Sequence, residues 1–335
     1  MTPFEYAHPR SEAEAVELMN EPGTSTAVLA GGTDLIRLLR RDLLTPQRVV
    51  NIKDIPSMQG IKPVDGGVMI GALTTLEDLA ASPLMSEYHS LHHVLDGIRA
   101  IQIQSSGTVA GDLCHLPNCW YFRNGYGLLG MENGESLVET GDNRYHAVFG
   151  NRGPAKFVSA SRFAPGMIAG QARVRVVGPK PDAEEWLPLE YFYITPKTNA
   201  QGVTVLKPGQ LITHVWLPGT DTAQGKVQSS TYEVLQLEGL DWPLASAAVS
   251  MVVQSGVVQD ARIVLGHVAP VPWISHEASR TIIGRRVTEE TAAAAGEAAV
   301  ASATPLSNNG YKVQLARTCV KRVLLRAAGQ ETGGL

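Results

Sequence analysis

The chain has 335 residues, 44% of them hydrophobic and 18% charged, enough for about two domains of ordinary size. Its 28 basic and 32 acidic residues give a net charge of −4, which excludes the basic footprint of a general nucleic-acid binder. No apolar run approaches the roughly 20 residues of a membrane span, and 3 cysteines cannot build a disulfide framework or a four-cysteine cluster.

Residues 1–19 lack the basic start and apolar core of a signal peptide, so a protein without an address label of its own is expected. Ser11 and Glu14 have capping-box spacing, and Ala15, Val16, Leu18 and Met19 share a face of the helix they open. Pro22-Gly23 ends it. Thr26–Ala30 reads as a strand, Gly31-Gly32-Thr33-Asp34 as a glycine turn, Leu35 to Leu39 as helix, and Arg48–Ile52 as the next strand. A second unit opens with a strand at Gly67–Ala72 and a helix at Thr75–Ala81, for which Thr74 and Glu77 again have capping-box spacing. Leu84–Ala100 reads as one helix running into a second glycine-rich stretch, Ser105 to Asp112. Residues 118–153 are loop-like and hold seven glycines, and a segment that long inside a domain is usually functional. Strands follow at Ala172–Gly178 and Leu211–Leu217, and the polar run Thr220–Gln228 reads as a linker.

Beyond it, Ser229–Leu237, Ala245–Gln254 and Val257–Val268 are β-prone, with a hairpin turn at Ser255-Gly256. Helices are expected at His276–Ile283, Thr288–Ala303 and Tyr311–Ala328. The whole reads as an α/β region to about residue 220, then a smaller α+β domain.

The two glycine loops are the main candidates for chemistry. Each follows an apolar segment and places small residues where a backbone must approach something closely. Either both are tight turns, or their successive N–H groups form concave anion sites, to which a helix beginning at Asp34 adds its dipole. Thr33 and Thr108 can each donate a hydroxyl hydrogen bond to a phosphate, and two such loops suit a pyrophosphate lying between them.

Gly125-Tyr126-Gly127-Leu128-Leu129-Gly130 matches G-x-G-x-x-G but lacks the strand–turn–helix context that gives the motif meaning, so it is set aside. His89, His92 and His93 share a helical face and are read as solvated. Cys114, His115, Cys119 and His146 fit no defensible zinc spacing. The chain shows no nucleophile elbow, no H-E-x-x-H and no distinctive carboxylate pair, so any chemistry belongs to a cofactor.

Val28 to Leu35 resembles the first flavin-pyrophosphate loop of the FAD-binding (medium) subunits of the molybdenum hydroxylase, or xanthine dehydrogenase, family. Ile70 to Leu76 is similar to the strand and turn that follow there, and Gly107-Thr108-Val109-Ala110-Gly111-Asp112-Leu113 to its second loop. Asp241 to Leu244, Gly266 to Pro272 and Asn309 to Val313 resemble the family's C-terminal domain. Six motifs in the expected order cover nearly the whole chain. The resemblance implies an α+β fold. It would comprise a two-part FAD-binding region of the PCMH/vanillyl-alcohol-oxidase type (1–57 and 58–222, with the 118–153 insertion) and a CO dehydrogenase flavoprotein C-terminal-like domain (226–330).

The branch it most resembles contains periplasmic aldehyde oxidoreductases and 4-hydroxybenzoyl-CoA reductases. Cys119-Trp120-Tyr121-Phe122-Arg123 and Asn143 to Gly150 resemble the two ends of that branch's insertion, which holds a [4Fe-4S] cluster on four cysteines. Here Cys119 is followed by no cysteine until Cys319, so no such cluster is expected. The resemblance implies FAD held by Leu29, Ala30, Gly31, Gly32, Thr33, Asp34 and Leu35 of the first loop and by Gly107, Thr108, Val109, Gly111 and Asp112 of the second. Ile212 stands where relatives place an apolar contact to the flavin ring, and Glu233 where they carry a lysine that reaches the flavin.

Asp112 replaces the usual Asn and would repel a pyrophosphate unless it faces the ribityl hydroxyls or is otherwise turned away. The implied activity is that of an oxidoreductase subunit. It would pass electrons from a small [2Fe-2S] subunit and a large molybdopterin subunit through FAD to an acceptor, in the cytoplasm by default or exported with a signal-bearing partner. The Asp112 and Glu233 changes also raise the alternative of an FAD-less scaffold that only assembles the complex.

Overall fold

The computed structural model describes residues 1–180, 182–223, 225–237 and 241–332, and its mixture of helices and strands is of the expected α+β class. Among the described residues three larger sheets and one two-stranded sheet form. The first is parallel, with Arg48–Asn51 between Glu5–Ala7 and Thr26–Leu29. Parallel neighbours need crossovers, which the helices Glu12–Met19 and Leu35–Arg40 supply. The strand Glu5–Ala7 has only one buried residue, and so no apolar alternation announces it in the sequence.

The second sheet is antiparallel, in the order Ile61–Val64, Gly67–Gly71, Leu211–Pro218, Arg173–Val177, Glu184–Pro188. Its core holds Ile70, Val174 and Val215, all fully buried. The helix after Gly67–Gly71 is capped by Thr75, whose hydroxyl accepts from Asp78 N. The expected cap, Thr74, instead donates to Gly60 O. Leu84–Ala100 is not one helix. Within that range a turn at Pro83–Met85 precedes a helix at His89–Gly97, and a separate helix at Ile101–Ser106, which buries no residue, follows where the sequence suggested none. The 118–153 segment contains short elements, Trp120–Arg123, a hairpin at Met131–Glu132 and Glu135–Ser136, and Leu137–Thr140. Its Phe122, Leu128 and Leu129 close on a small core shared with Leu38, Phe157 and Val203.

The third sheet runs Asp221–Thr222, Gly225–Val234, Ala245–Gln254, Val257–Gly266, Trp273–Ile274. Asp221 and Thr222 pair with Lys226 and Gly225, so the run 220–228 holds paired strands rather than a linker. Its described residues are exposed or half-buried at the sheet edge, where solvent satisfies what the ladder does not. The helices His276–Ile282, Glu289–Val300 and Tyr311–Ala327 pack with this sheet. A Cβ at Gly296 would lie 2.7 Å from Arg317 O, so glycine among the alanines of the second helix lets the third approach.

The helices His89–Gly97 and Ala164–Ala169 also lie against the sheet. The histidine face is consequently not fully solvated. His93 Nδ1 lies 3.2 Å from Ser230 Oγ and accepts from Thr231 N at 3.3 Å, and burial pulls its pKa down to about 4.

Lys312 joins the C-terminal helices to the insertion. It is 1% exposed and donates to Tyr145 O, His146 O and His267 O at 3.2, 3.2 and 2.7 Å. Burial pulls its pKa down to about 7. Lys312→Met should cost about 2 kcal/mol by stranding those acceptors, read as a lower urea midpoint with an unchanged slope.

Candidate functional site

The strand Thr26–Leu29 delivers Gly31–Leu35 to the edge of a cleft of about 260 Å³. Thr33, Thr108, Asp112, His115, Arg162 and Trp242 stand on its wall together with apolar Leu76, Ile98 and Ile103. The two glycine loops meet there. A Cβ on Gly31 would lie 1.8 Å from Ser106 O and 3.2 Å from Gly107 Cα, so the backbones are in direct contact.

The loops differ in how they use their amides. Among the described residues, the N–H groups of Gly31, Gly32, Thr33, Asp34 and Leu35 have no acceptor within the protein, and the loop is only half-buried. Successive free donors of this kind are what an anion-binding concavity requires. In the second loop Gly107 N bonds Ile103 O, Val109 N bonds Thr74 O, Ala110 N bonds Ala72 O and Gly111 N bonds Thr108 Oγ. That loop's amides serve its own fold, and Thr108 caps the short helix Val109–Leu113.

The charged side chains are satisfied from within. Asp34 faces Arg123, at 2.6 Å from Nη1 and 3.2 Å from Nη2, and lies 3.7 Å from His115 Nδ1. Burial holds the His115 imidazole below its usual pKa against the pull of Asp34. Asp112 is turned toward the segment before the helix Ala164–Ala169. It accepts from the Ser161 hydroxyl and from Arg162 N and Phe163 N, both at 3.2 Å. Burial raises its pKa, and those three donors oppose the rise.

Glu233 does not line the cleft. It pairs with Arg162, whose Nε donates to Oε1 at 3.1 Å and whose Nη2 contacts Oε2. Burial lifts the Glu233 carboxyl while Arg162 pulls it back. Ile212 is also absent from the cleft wall. It is 2% exposed in the first core and pairs with Val176 across the second sheet.

Arg162 is a wall residue that the sequence reading missed, as are Arg37, Ile98 and Ile103. Its signal was a single cation in an otherwise uncharged run from 157 to 172. Trp242 donates to Ala160 O at 2.9 Å and lies 5.1 Å from the His115 ring, which brings the third sheet's region to the cleft.

A second cavity of about 560 Å³ adjoins the cleft and shares Arg37, Asp241 and Trp242 with it. On its wall Cys119 Sγ lies 3.2 Å from His146 Nε2. Burial raises the thiol's pKa and pulls the imidazole down to about 4, so both are neutral. Among the described residues no group of three or more His, Cys, Asp or Glu is placed to hold a metal, and no helix is long and apolar enough to cross a membrane.

Residues 2–220 match the family described as the FAD binding domain in molybdopterin dehydrogenase, and residues 230–327 the CO dehydrogenase flavoprotein C-terminal domain. The chain is 27% identical over 326 residues to the carbon monoxide dehydrogenase medium chain of Hydrogenophaga pseudoflava, with 96% of each covered. It is 28% identical over 349 residues to the aldehyde oxidoreductase FAD-binding subunit PaoB of Escherichia coli, with 98% of this chain and 100% of that one covered. Of solved structures, carbon monoxide dehydrogenase from Hydrogenophaga pseudoflava superposes with a TM-score of 0.76 at 25% identity, covering 98% of this chain and 99% of that one.

Proposed function

This chain belongs to the family of FAD-binding domains in molybdopterin dehydrogenases and carries the C-terminal domain of CO dehydrogenase flavoproteins; from that premise we propose that it holds FAD as the electron-transfer subunit of a molybdenum-dependent oxidoreductase. The observation that carries the reading is the row of five unpartnered amides from Gly31 to Leu35 at the rim of a cleft. An anion such as a pyrophosphate satisfies donors of this kind, so the residues fit the group.

In this reading Leu29–Leu35 grip the pyrophosphate by backbone, helped by the Thr33 hydroxyl. Gly107, Thr108, Val109 and Gly111 form the opposite wall, and the Thr108 hydroxyl, already accepting from Gly111 N, keeps its proton to donate. Asp112 shapes that wall by holding residues 161–163. Leu76, Ile98, Ile103 and Trp242 supply apolar surface for a planar ring and exclude water from it. Ile212 supports the wall from the core, and Glu233 orients Arg162. When bound, FAD supplies the ability to take up electrons and release them singly or in pairs.

The partners in this reading are a large molybdopterin subunit and a small [2Fe-2S] subunit. The site is cytoplasmic unless a signal-bearing partner exports the complex. Asp112 and Glu233, which favour a cofactor-free scaffold when read as bare charges, each face donors from within the chain, and this supports the flavoprotein over the scaffold.

The test is the visible spectrum of the chain, purified alone and co-expressed with its genetic neighbours. A band at about 450 nm and about one released FAD per chain are expected for a flavoprotein. A colourless, folded chain that still assembles with its neighbours would leave the scaffold.

A further inference from the structure

We propose that the 118–153 insertion is a clamp on the cofactor loop, in which Arg123 is a positioning residue that fixes Gly31–Leu35 through Asp34; the inference rests on the FAD reading above. The loop has little of its own to hold it. The helix that follows it, Leu35–Arg40, spans six residues, far below the length at which a helix sustains itself. Its buried Leu38 sits in the small core it shares with Phe122, Leu129 and Phe157. At the other end, Gly31 is seated on the backbone of Ser106. Residues outside the first sheet therefore hold the loop at both ends.

Arg123 makes the decisive contact between them. It is 8% exposed, and the stem of the insertion aims it, Nε donating to Pro117 O at 2.9 Å and Nη2 to Leu116 O at 2.8 Å. Its remaining edge grips both oxygens of Asp34 at 2.6 and 3.2 Å. A planar fork locked on one side and bidentate on the other fixes orientation in a way that an ammonium cannot. Two consequences follow for the amides beside it. They are ordered before any ligand arrives, which removes an entropic cost of binding. The Asp34 charge, which would oppose an anion at those amides, is offset by a partner that is itself buried.

The experiment measures FAD affinity of the full chain after cofactor removal, by flavin fluorescence, together with the melting temperature with and without FAD. Arg123→Lys should raise Kd about tenfold and Arg123→Gln more, since the bidentate charge-assisted contact is weakened in one and lost in the other. Asp34→Asn combined with Arg123→Gln should be no worse than the poorer single variant, because the two act as one unit. If Arg123→Gln does not fold, Arg123→Lys and Asp34→Asn carry the test.

Unchanged Kd in these variants, or effects that multiply in the double variant, would overturn the clamp. So would a lower melting temperature of the cofactor-free chain with the same FAD-induced rise, which marks a merely structural role. Wild-type protein that binds no FAD fails the flavoprotein reading itself, and the clamp with it. Wild-type protein that binds FAD beside insensitive variants fails the clamp alone.

Discussion

Gly31→Ala is expected to strip the protein of FAD, whereas Gly153→Ala leaves flavin content unchanged. The added methyl group would stand 1.8 Å from Ser106 O and 2.8 Å from Ser106 C. Both are backbone atoms, so no rotamer change relieves the collision, and the two loops must separate by about 2 Å to reach ordinary contact. The strain itself should cost about 1–3 kcal/mol of stability, as overpacking does. The greater loss falls on binding, because a ligand gripped from both loops loses one wall when they part. A drop of at least about a hundredfold in affinity, or about 2.7 kcal/mol, is expected.

Gly32 makes a useful contrast. Its φ of +76° penalises alanine by about 1 kcal/mol, and the nearest atoms are side-chain carbons of Leu29 and Ile36 at 3.2 and 3.3 Å, which can yield. Gly153 has nothing within 4 Å and serves as control. Released FAD per chain and Kd by flavin fluorescence read the result. Wild-type flavin content in Gly31→Ala would mean that contact between the loops is not needed.

Much of the fold was legible because local signals agreed with it. Ser11 caps its helix as its spacing suggested, accepting from Glu14 N. Ala245–Gln254 and Val257–Gly266 meet at Ser255-Gly256, both with positive φ. The failures have physical causes. The helix expected at 84–100 spans only 89–97, since an apolar pattern does not record the turn at its start or the extended residues Ile98 and Ala100 at its end. Thr74 and Thr75 are adjacent hydroxyls, and only the tertiary partner Gly60 O decides which one caps. The polar run 220–228 concealed paired strands at a sheet edge, because exposed strands lack the apolar alternation that reveals buried ones.

Of the candidate site, the glycine loops could be read from residue type alone, but their contact with each other could not. Nor could the partners of Asp34, Asp112 and Glu233, which lie 89, 49 and 71 residues away in sequence. A carboxylate judged by its own position looks like a repulsive charge. Judged with its donors, it is a strut.

Glu233→Lys shows what that difference is worth. Resemblance places a lysine at this position, and a restored lysine would on that basis tighten FAD binding. The structure predicts the opposite. Glu233 is 5% exposed and grips Arg162, itself 8% exposed, through two contacts. The space around the pair is full, because a Cβ on Gly97 in the facing helix would lie 2.7 Å from Arg162 Nη2 and 3.1 Å from Glu233 Oε2. An ammonium placed there meets a guanidinium without water to screen either charge, and breaking a buried pair in this way costs about 3–5 kcal/mol.

The urea midpoint of the cofactor-free chain should fall accordingly, with Glu233→Gln falling less because it introduces no second cation. Binding should weaken in both, since Arg162 stands on the cleft wall and loses the carboxylate that holds it. Exchanging the charges, with Glu233→Arg and Arg162→Glu together, should recover part of the stability, because the pair is restored, but little of the affinity, because the wall then presents an anion to an anion. A Glu233→Lys chain as stable as wild type and binding FAD more tightly would place residue 233 against the cofactor and remove Arg162 from between them.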